Sequence, residues 1–267
     1  AGADVIVAAL GESSEYSGES SSRTILTLPE TQRRLLEALL ATGKPVVMLN
    51  FSGRPTVMTW ESEHVPAILN VWFGGSEAGD AIADVVFGKV SPSGKLTMTM
   101  PRSVGQIPVY YNHFNTGRPK ADDSRFEKFR TGYLDSPNAP LYPFGYGLSY
   151  TTFEYSGFAL SADEMTADGA ITASVTVTNT GRYDGDEIVQ LYIRDMVGSS
   201  ARPVKELKGF ERISLRAGES RKVEFEITPE LLKFYNYELE FVAEPGEFLA
   251  MVGPDSDRLS VLPFTLK

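Results

Sequence analysis

The sequence contains no cysteine, and only two of its 267 residues are histidines, His64 and His113. The absence of cysteine excludes disulfide bonds, thiolate nucleophiles and zinc sites built from cysteine. Two histidines are too few for a histidine-rich metal centre. We therefore predict neither a metal site nor a chemistry that depends on sulfur.

The chain also lacks a long apolar run and an excess of basic residues. No stretch approaches the roughly 20 apolar residues of a membrane span, so we expect no membrane segment. The 25 lysines and arginines are outnumbered by 35 acidic residues, which argues against nucleic acid as a partner because phosphates require a basic face. A hydrophobic fraction of 42% is sufficient for hydrophobic cores, and the length suits two domains.

In the first part of the sequence, apolar strands alternate with helices. Strands are predicted at residues 4–10, 44–51, 67–73 and 95–100, and helices within 28–43, 58–64 and 74–88. Strands separated by helices predict a mostly parallel sheet flanked by helices, which is an α/β sandwich domain. Because the first strand begins almost at residue 1, we expect this domain to lack its start.

The last part of the sequence is predicted to be an all-β sandwich. Between Ile171 and Val177, apolar residues alternate with serine and threonine, which indicates a strand with one buried face. Turn signals such as Arg216-AGES separate further strands of this kind, as in immunoglobulin-like sandwiches. We assign residues 1–115 to the α/β domain, 116–150 to an ordered linker with a charged stretch at 120–130, and 151–267 to the all-β domain.

The polar loop from Gly11 to Arg23, GESSEYSGESSSR, is the principal candidate for a functional site. It follows the first predicted strand, and loops at strand ends of α/β domains usually carry binding and catalytic groups. It presents three carboxylates, Glu12, Glu15 and Glu19. Such a group can protonate a leaving group if a second carboxylate stands opposite. The sequence shows no evident second carboxylate, so the loop is predicted to form half of an active site, and residue type does not choose among the three glutamates.

Several other features are weaker candidates. Gly74-GSEAG lacks the lysine and the spacing of a phosphate-binding loop, and we predict no cofactor. Gly145-YGLS lacks the GxSxG spacing of a nucleophile elbow, which excludes serine-hydrolase chemistry. His113, in YYNHFNTGRP, is a weak candidate for contact with a ligand. Trp60 and Trp72 are able to stack on sugars, but Trp72 is predicted to lie in the core.

Six long motifs follow one another along the chain. They are SGESSSRTILTLPETQ, GKPVVMLNFSGRP, WFGGSEAGDAIADVVFGKVSPSGKLTMTMPRSVGQIPVYY, LYPFGYGLSYTTFEY, VTVTNTGRYDGDEIVQLYIRD and RPVKELKGFERISLRAGES. The first four resemble the C-terminal half of glycoside hydrolase family 3, in particular its bacterial periplasmic β-glucosidase subgroup. The last two resemble the family's fibronectin type III-like domain. The resemblance covers nearly the whole chain and implies an α/β sandwich domain followed by a fibronectin type III-like sandwich.

The resemblance implies a retaining β-glucosidase that hydrolyses terminal non-reducing β-D-glucosyl residues. In the family, the nucleophile is an aspartate on an N-terminal barrel domain, and the general acid/base is a glutamate on a loop of the α/β sandwich domain. The subgroup places that glutamate a few residues before Ser-Arg-Thr, and Glu19 holds this position here. Glu12 and Glu15 remain weaker alternatives for the acid, and together with His113 they are weak substrate-binding candidates.

The sequence shows no such barrel, so the resemblance implies a chain that is inactive alone and has the barrel of the same enzyme as its partner. A β-glucoside or oligosaccharide would be the substrate, and a periplasmic or secreted location is implied. The competing hypothesis is a non-catalytic carbohydrate- or protein-binding module in which the all-β sandwich is the working part.

Overall fold

The computed structural model of the chain describes residues 2–120 and 127–267 and divides into two compact units. The first comprises the described residues of Ala1–Val90, Thr99–Val109 and Asn138–Tyr142, and the second those of Ser91–Met98, Tyr110–Pro137 and Pro143–Lys267. The predicted boundaries after residues 115 and 150 both lie inside segments of the second unit. Most of the charged stretch at 120–130 lies outside the described residues.

Three parallel strands form the sheet of the first unit. The strands are β1 (Ile6–Gly11), β2 (Val46–Phe51) and β3 (Ala67–Asn70), and the helices are α1 (Glu30–Leu40), α2 (Thr59–His64) and α3 (Ala78–Val86). The order is β1-β2-β3, with Gly11 opposite Phe51 and Asn50 opposite Asn70. The carboxyl ends of all three strands therefore lie at one edge of the sheet, and the predicted parallel α/β arrangement is confirmed.

Gly11 fixes the point at which the chain leaves β1. It has φ +138, and a Cβ atom there would lie 1.9 Å from the carbonyl oxygen of Phe51, so only glycine fits beside β2. The side chain of Gln32, in α1, binds the backbone of Gly11 on both sides: its Oε1 accepts from the N–H at 2.8 Å and its Nε2 donates to the carbonyl at 2.9 Å. The helix thus holds the start of the polar loop.

The third strand is shorter than predicted. It ends at Asn70, and Trp72 takes a left-handed backbone conformation with φ +54, which is incompatible with an extended strand. The prediction that Trp72 lies in a core strand is therefore wrong: its side chain is half-buried in the loop that follows β3.

Residues 95–100, predicted to form a strand, do not form one. Their backbone bonds to loops: the N–H of Leu96 donates to the carbonyl of Tyr146, and Met100 forms an isolated bridge with Tyr142. The stretch also divides between the two units after Met98. Its alternating pattern therefore reflects short, separate pairings rather than a place in the sheet.

The second unit is a β-sandwich. Its strands are β4 (Phe153–Leu160), β5 (Glu164–Met165), β6 (Ile171–Asn179), β7 (Gly185–Asp195), β8 (Glu206–Leu215), β9 (Ser220–Ile227), β10 (Phe234–Tyr235), β11 (Phe241–Val242), β12 (Gly246–Gly253) and β13 (Ser260–Leu266), with a short helix α4 (Pro229–Leu232). One sheet has the order β5-β13-β12-β7-β8 and the other β4-β6-β9, while β10 and β11 form a separate ribbon. The alternating apolar side chains of β6 and β7, such as Val177 and Leu191, fill a shared core. The predicted all-β sandwich is confirmed.

Within residues 2–120 and 127–267, no helix combines the length and apolar character needed to cross a bilayer.

Candidate active site

Three loops leave the carboxyl edge of the parallel sheet. The polar loop, residues 11–23, begins at the last residue of β1; residues 52–54 follow β2; and residues 71–75 follow β3. Because the three strands are paired in register, these loops start close together. This edge is where open α/β sheets bind ligands.

Glu12 is the buried anchor of the polar loop. It is 7% exposed, and its own N–H donates to the carbonyl of Phe51 at 2.8 Å. Its Oε1 accepts a hydrogen bond from Nη1 of Arg23 at 2.6 Å. Its Oε2 accepts from Oγ of Ser52 at 2.9 Å and from Nε of Arg54 at 3.2 Å. Both carboxylate oxygens are therefore occupied by charged or hydroxyl donors.

These neighbours keep Glu12 ionised. Burial alone would raise the pKa of Glu12, but hydrogen bonds from Arg23 and Ser52 and the positive charges of Arg54 and Arg23 outweigh it and hold the pKa below its ordinary value. A carboxylate in this state is a poor proton donor. The arrangement suits a structural role for Glu12 better than an acid role.

Arg54 connects this cluster to the remainder of the polar loop. Its Nη2 donates to the backbone carbonyl of Ser21 at 3.0 Å and also to the carbonyl of Tyr16. The guanidinium of Arg23 lies 4.8 Å from the centre of the Tyr16 ring, a cation–π contact. Arg54 thus contacts the loop on either side of residues 17–20, and Arg23 contacts it at Tyr16.

Glu19 lies in the turn formed by residues 18–21. The N–H of Ser21 donates to the carbonyl of Gly18 at 3.2 Å, which closes a β-turn with Glu19 as its second residue. Ser20, the third residue, has φ +60, as type II turns require, at a cost of about 1 kcal/mol or more for a residue other than glycine. The side chain of Glu19 is exposed, and its carboxylate bonds to no residue in the described part of the chain.

Glu15 is exposed as well, on a 3₁₀ turn formed by Ser14–Tyr16. Burial and contacts therefore separate Glu12 from the other two glutamates, which both face solvent. Of the three glutamates, only Glu19 lies between Tyr16 and Ser21, whose carbonyl groups accept hydrogen bonds from Arg54.

The loop after β2 packs against its neighbours on both sides. A Cβ atom at Gly53 would lie 2.7 Å from Oγ of Ser17 and 2.7 Å from Cε2 of Phe73. The ring of Phe73 is 56% exposed at this edge, and Oγ of Ser17 is buried with no hydrogen-bond partner in the described residues. The glycine permits close approach of the polar loop and the loop that carries Trp72 and Phe73.

The remaining candidates belong to other segments of the chain. His113 belongs to the second unit, is exposed, and its Nδ1 is 2.9 Å from the carbonyl oxygen of Phe114. Trp60 is sandwiched by its own neighbours, with the guanidinium carbon of Arg33 3.4 Å from its ring centre and the His64 ring stacked at 4.3 Å. Its faces are therefore occupied. Among residues 2–120 and 127–267, no group of three or more histidine, aspartate and glutamate side chains is placed to hold a metal ion.

Ser52 and Arg54 were not predicted as members of the site. Both belong to the motif NFSGRP, and the signal was available, because a serine and an arginine directly after a buried strand of a parallel sheet fall at the same edge as the polar loop.

Comparison with known proteins gives the chain two family matches. The profile described as "Glycosyl hydrolase family 3 C-terminal domain" matches residues 1–150, and that described as "Fibronectin type III-like domain" matches residues 187–256. The first match covers the polar loop and the Ser52 to Arg54 segment. The second lies within the β-sandwich.

The chain is similar to longer curated proteins. It is 52% identical to the periplasmic beta-glucosidase of Salmonella typhimurium, over 99% of this chain and 34% of that protein. It is 44% identical to a beta-xylosidase of Formosa agariphila, over 99% of this chain and 36% of that protein. The chain therefore spans about a third of the length of these relatives.

A solved structure shares the fold. The crystal structure of a beta-glucosidase from Listeria innocua in complex with gluconolactone matches 98% of this chain and 36% of its own, with a TM-score of 0.93 and 44% identity.

Proposed function

The chain belongs to glycosyl hydrolase family 3, and we propose from this membership that it is the C-terminal portion of a retaining β-glucosidase. The parent enzyme, meaning this chain together with an N-terminal barrel domain, would hydrolyse terminal non-reducing β-D-glucosyl residues. The names of two relatives, a beta-glucosidase and a beta-xylosidase, support a β-glycosidase, and the higher identity is to the glucosidase.

The observation that carries the proposal is the placement of Glu19. Its exposed carboxyl group projects from a turn at the carboxyl edge of the sheet and is free of partners in the described residues. Glu12, by contrast, is committed to two arginines. Glu19 is thus the proposed general acid/base, and a barrel docked at this edge would supply the nucleophilic aspartate.

The proposed reaction has two steps. A retaining glycosidase holds its two carboxyl groups about 5–5.5 Å apart. In the first step, Glu19 donates its proton to the glycosidic oxygen while the barrel aspartate attacks the anomeric carbon, so the aglycone leaves as an alcohol. In the second, the Glu19 carboxylate takes a proton from water, the water oxygen bonds to the anomeric carbon, and the aspartate leaves. Glucose is released with its β-configuration, and Glu19 is again protonated.

The partner and location follow as proposals. The length of the relatives supports a barrel domain of the same enzyme as the partner, because two thirds of each relative lies outside the match. The name of the Salmonella typhimurium relative supports a periplasmic or secreted location.

We expect the isolated chain to be inactive on an aryl β-glucoside, because it contributes only one of the two carboxyl groups. Release of the aryl alcohol by the purified chain should match the rate in buffer, whereas the parent enzyme should turn over many times per second. A suitable control is the parent enzyme with Glu19→Gln, at equal concentration. Sustained turnover by the isolated chain would contradict the proposal.

A second candidate, a carbohydrate-binding role for the β-sandwich, is favoured by the ribbon of β10 and β11. Tyr235, Tyr237 and Phe241 are 65%, 76% and 48% exposed, and the rings of Tyr235 and Phe241 lie 5.0 Å apart. Exposed aromatic clusters often mark binding surfaces. This candidate predicts that the isolated chain binds β-linked oligosaccharides and that Glu19 substitutions leave the parent enzyme's activity unchanged.

A further inference from the structure

We propose that Arg54 is a positioning residue that sets the location of the Glu19 carboxyl group. The inference rests on the proposed function, because it requires Glu19 to be the acid/base. It concerns a residue that follows a different strand from Glu19 and lies 35 positions away in the sequence.

Arg54 forms hydrogen bonds on both sides of the turn that contains Glu19. Its Nη2 donates to the carbonyl oxygens of Tyr16, three residues before Glu19, and of Ser21, two residues after it. A single nitrogen therefore draws together the two ends of the segment 16–21. Among the described residues, the Glu19 side chain has no hydrogen bond or ion pair that could hold it, so the backbone of this segment sets the point from which the side chain projects.

The guanidinium group of Arg54 is itself held in place. Its Nε donates to Oε2 of Glu12 at 3.2 Å, and the hydroxyl of Ser52 binds the same oxygen at 2.9 Å. The Arg54 backbone N–H also donates to Oγ of Ser52 at 3.2 Å. Glu12 is itself held at the sheet edge, because its backbone N–H donates a hydrogen bond to the carbonyl of Phe51. A continuous chain of contacts thus runs from β2 through Glu12 and Arg54 to the turn.

The segment needs such support because of its composition. Ser20 has φ +60, a conformation that a residue other than glycine keeps only where its surroundings hold it, and Gly18 at φ +132 adds backbone freedom to the same segment. Catalytic groups must be kept within about 0.5 Å of their productive position. Lysine cannot replace arginine here, since a single ammonium group lacks the fork that reaches a carboxylate from Nε and two carbonyls from Nη2.

The test compares Arg54→Lys with the unchanged parent enzyme on two substrates. Phenyl β-glucoside has a poor leaving group that needs full protonation, and dinitrophenyl β-glucoside has a good one that needs almost none. We expect kcat/KM for the phenyl substrate to fall about 10- to 100-fold, as for a catalytic group displaced by about 1 Å. We expect kcat/KM for the dinitrophenyl substrate to change by less than about threefold, since the acid contributes little to that step.

The comparison separates positioning from folding. A variant that merely folds less well lowers kcat/KM on both substrates by the same factor, and counting active molecules by trapping with a fluorinated glucoside removes that effect. Arg34→Lys, on the exposed face of α1 with a surface partner in Glu30, is the matched control and should leave both values unchanged.

Equal loss on both substrates for Arg54→Lys would overturn the inference. If this variant does not fold, Ser52→Ala replaces it: removing the hydroxyl from Glu12 loosens Arg54, and a several-fold loss confined to the phenyl substrate is expected, whereas no such selective loss contradicts the inference. Glu19→Ala is measured in parallel. If Glu19→Ala itself shows no dependence on the leaving group, the proposed function has failed; if it does and Arg54→Lys does not, only the positioning inference has failed.

Discussion

Changing Glu19 to alanine in the parent enzyme is expected to lower kcat/KM for phenyl β-glucoside by about 10³-fold, within the range that general acid catalysis supplies. The phenolate leaving group requires the proton that Glu19 would donate. For dinitrophenyl β-glucoside, the expected loss in kcat/KM is less than about tenfold, because dinitrophenolate departs without protonation. Steady-state assays of the two substrates on one preparation measure the difference.

The second step of the reaction provides an independent test of the role of Glu19. Without Glu19, no group removes the proton from the attacking water, so the glucosyl-enzyme should accumulate and dinitrophenol should appear in a burst followed by slow turnover.

Glu15→Ala is the matched control, since Glu15 is exposed on the same loop. We expect its kinetics to stay within about twofold of the unchanged enzyme, as for a surface substitution. Loss of activity in Glu15→Ala with normal turnover in Glu19→Ala would exchange the roles of the two residues.

Changing Glu12 to glutamine is expected to destabilise the first unit by about 3 kcal/mol at neutral pH. The substitution leaves Arg23 and Arg54 without their shared carboxylate, and breaking a buried ion pair by removing one partner typically costs about 3–5 kcal/mol. Both arginine side chains keep about a fifth of their surface exposed, at 20% and 21%, so water offsets part of the loss. Hydrogen exchange of the β1 and β2 amides in the parent enzyme measures the free energy of opening this unit.

The destabilisation caused by Glu12→Gln should become smaller as the pH falls. The folded-state pKa of Glu12 is lowered from the ordinary value of 4.5, so its carboxylate stabilises the folded state fully above that value. As the pH falls through the lowered pKa, Glu12 becomes protonated and the stabilisation is lost. The free-energy difference between the unchanged protein and Glu12→Gln should therefore be largest near pH 7 and shrink under strongly acidic conditions.

A matched control for this prediction is Glu30→Gln on α1. Its partner Arg34 and Glu30 itself are 74% and 73% exposed, and surface pairs of this kind contribute between 0 and about 1 kcal/mol. The structural role of Glu12 would be contradicted if Glu12→Gln lowered the free energy of unfolding equally at all pH values. It would also be contradicted if the decrease were no larger than that caused by Glu30→Gln.

The sequence predicted the first unit well where periodicity was decisive. The apolar run at residues 46–49 belongs to β2, the middle strand of the parallel sheet, as such runs usually do. Residues 95–100 have equally clear alternation but form no strand, because their backbone partners are loops around Tyr142 and Tyr146. Here the alternation predicts neither a strand partner nor burial, since Met98 is 49% exposed and Thr99 is buried.

The candidate site shows the same limit. Glu12, Glu15 and Glu19 are alike in residue type, and only the resemblance of the motif before Ser-Arg-Thr singled out Glu19. Glu12 differs from the others through Ser52 and Arg54, which lie 40 and 42 positions away in the sequence. The strand pattern places Ser52 and Arg54 at the same sheet edge as the polar loop, but their individual contacts with Glu12 depend on the strand register, which the sequence does not give.

The most direct test of the account is rescue of Glu19→Ala by sodium azide. Azide is a strong nucleophile that needs no general base, so it should attack the accumulated glucosyl-enzyme in the space left by the missing side chain. With dinitrophenyl β-glucoside as substrate, we expect azide to raise kcat many-fold and to yield glucosyl azide of the β-configuration. A variant whose activity does not respond to azide, or whose product is the α-anomer, would contradict the assignment of Glu19 as the acid/base of a retaining glycosidase.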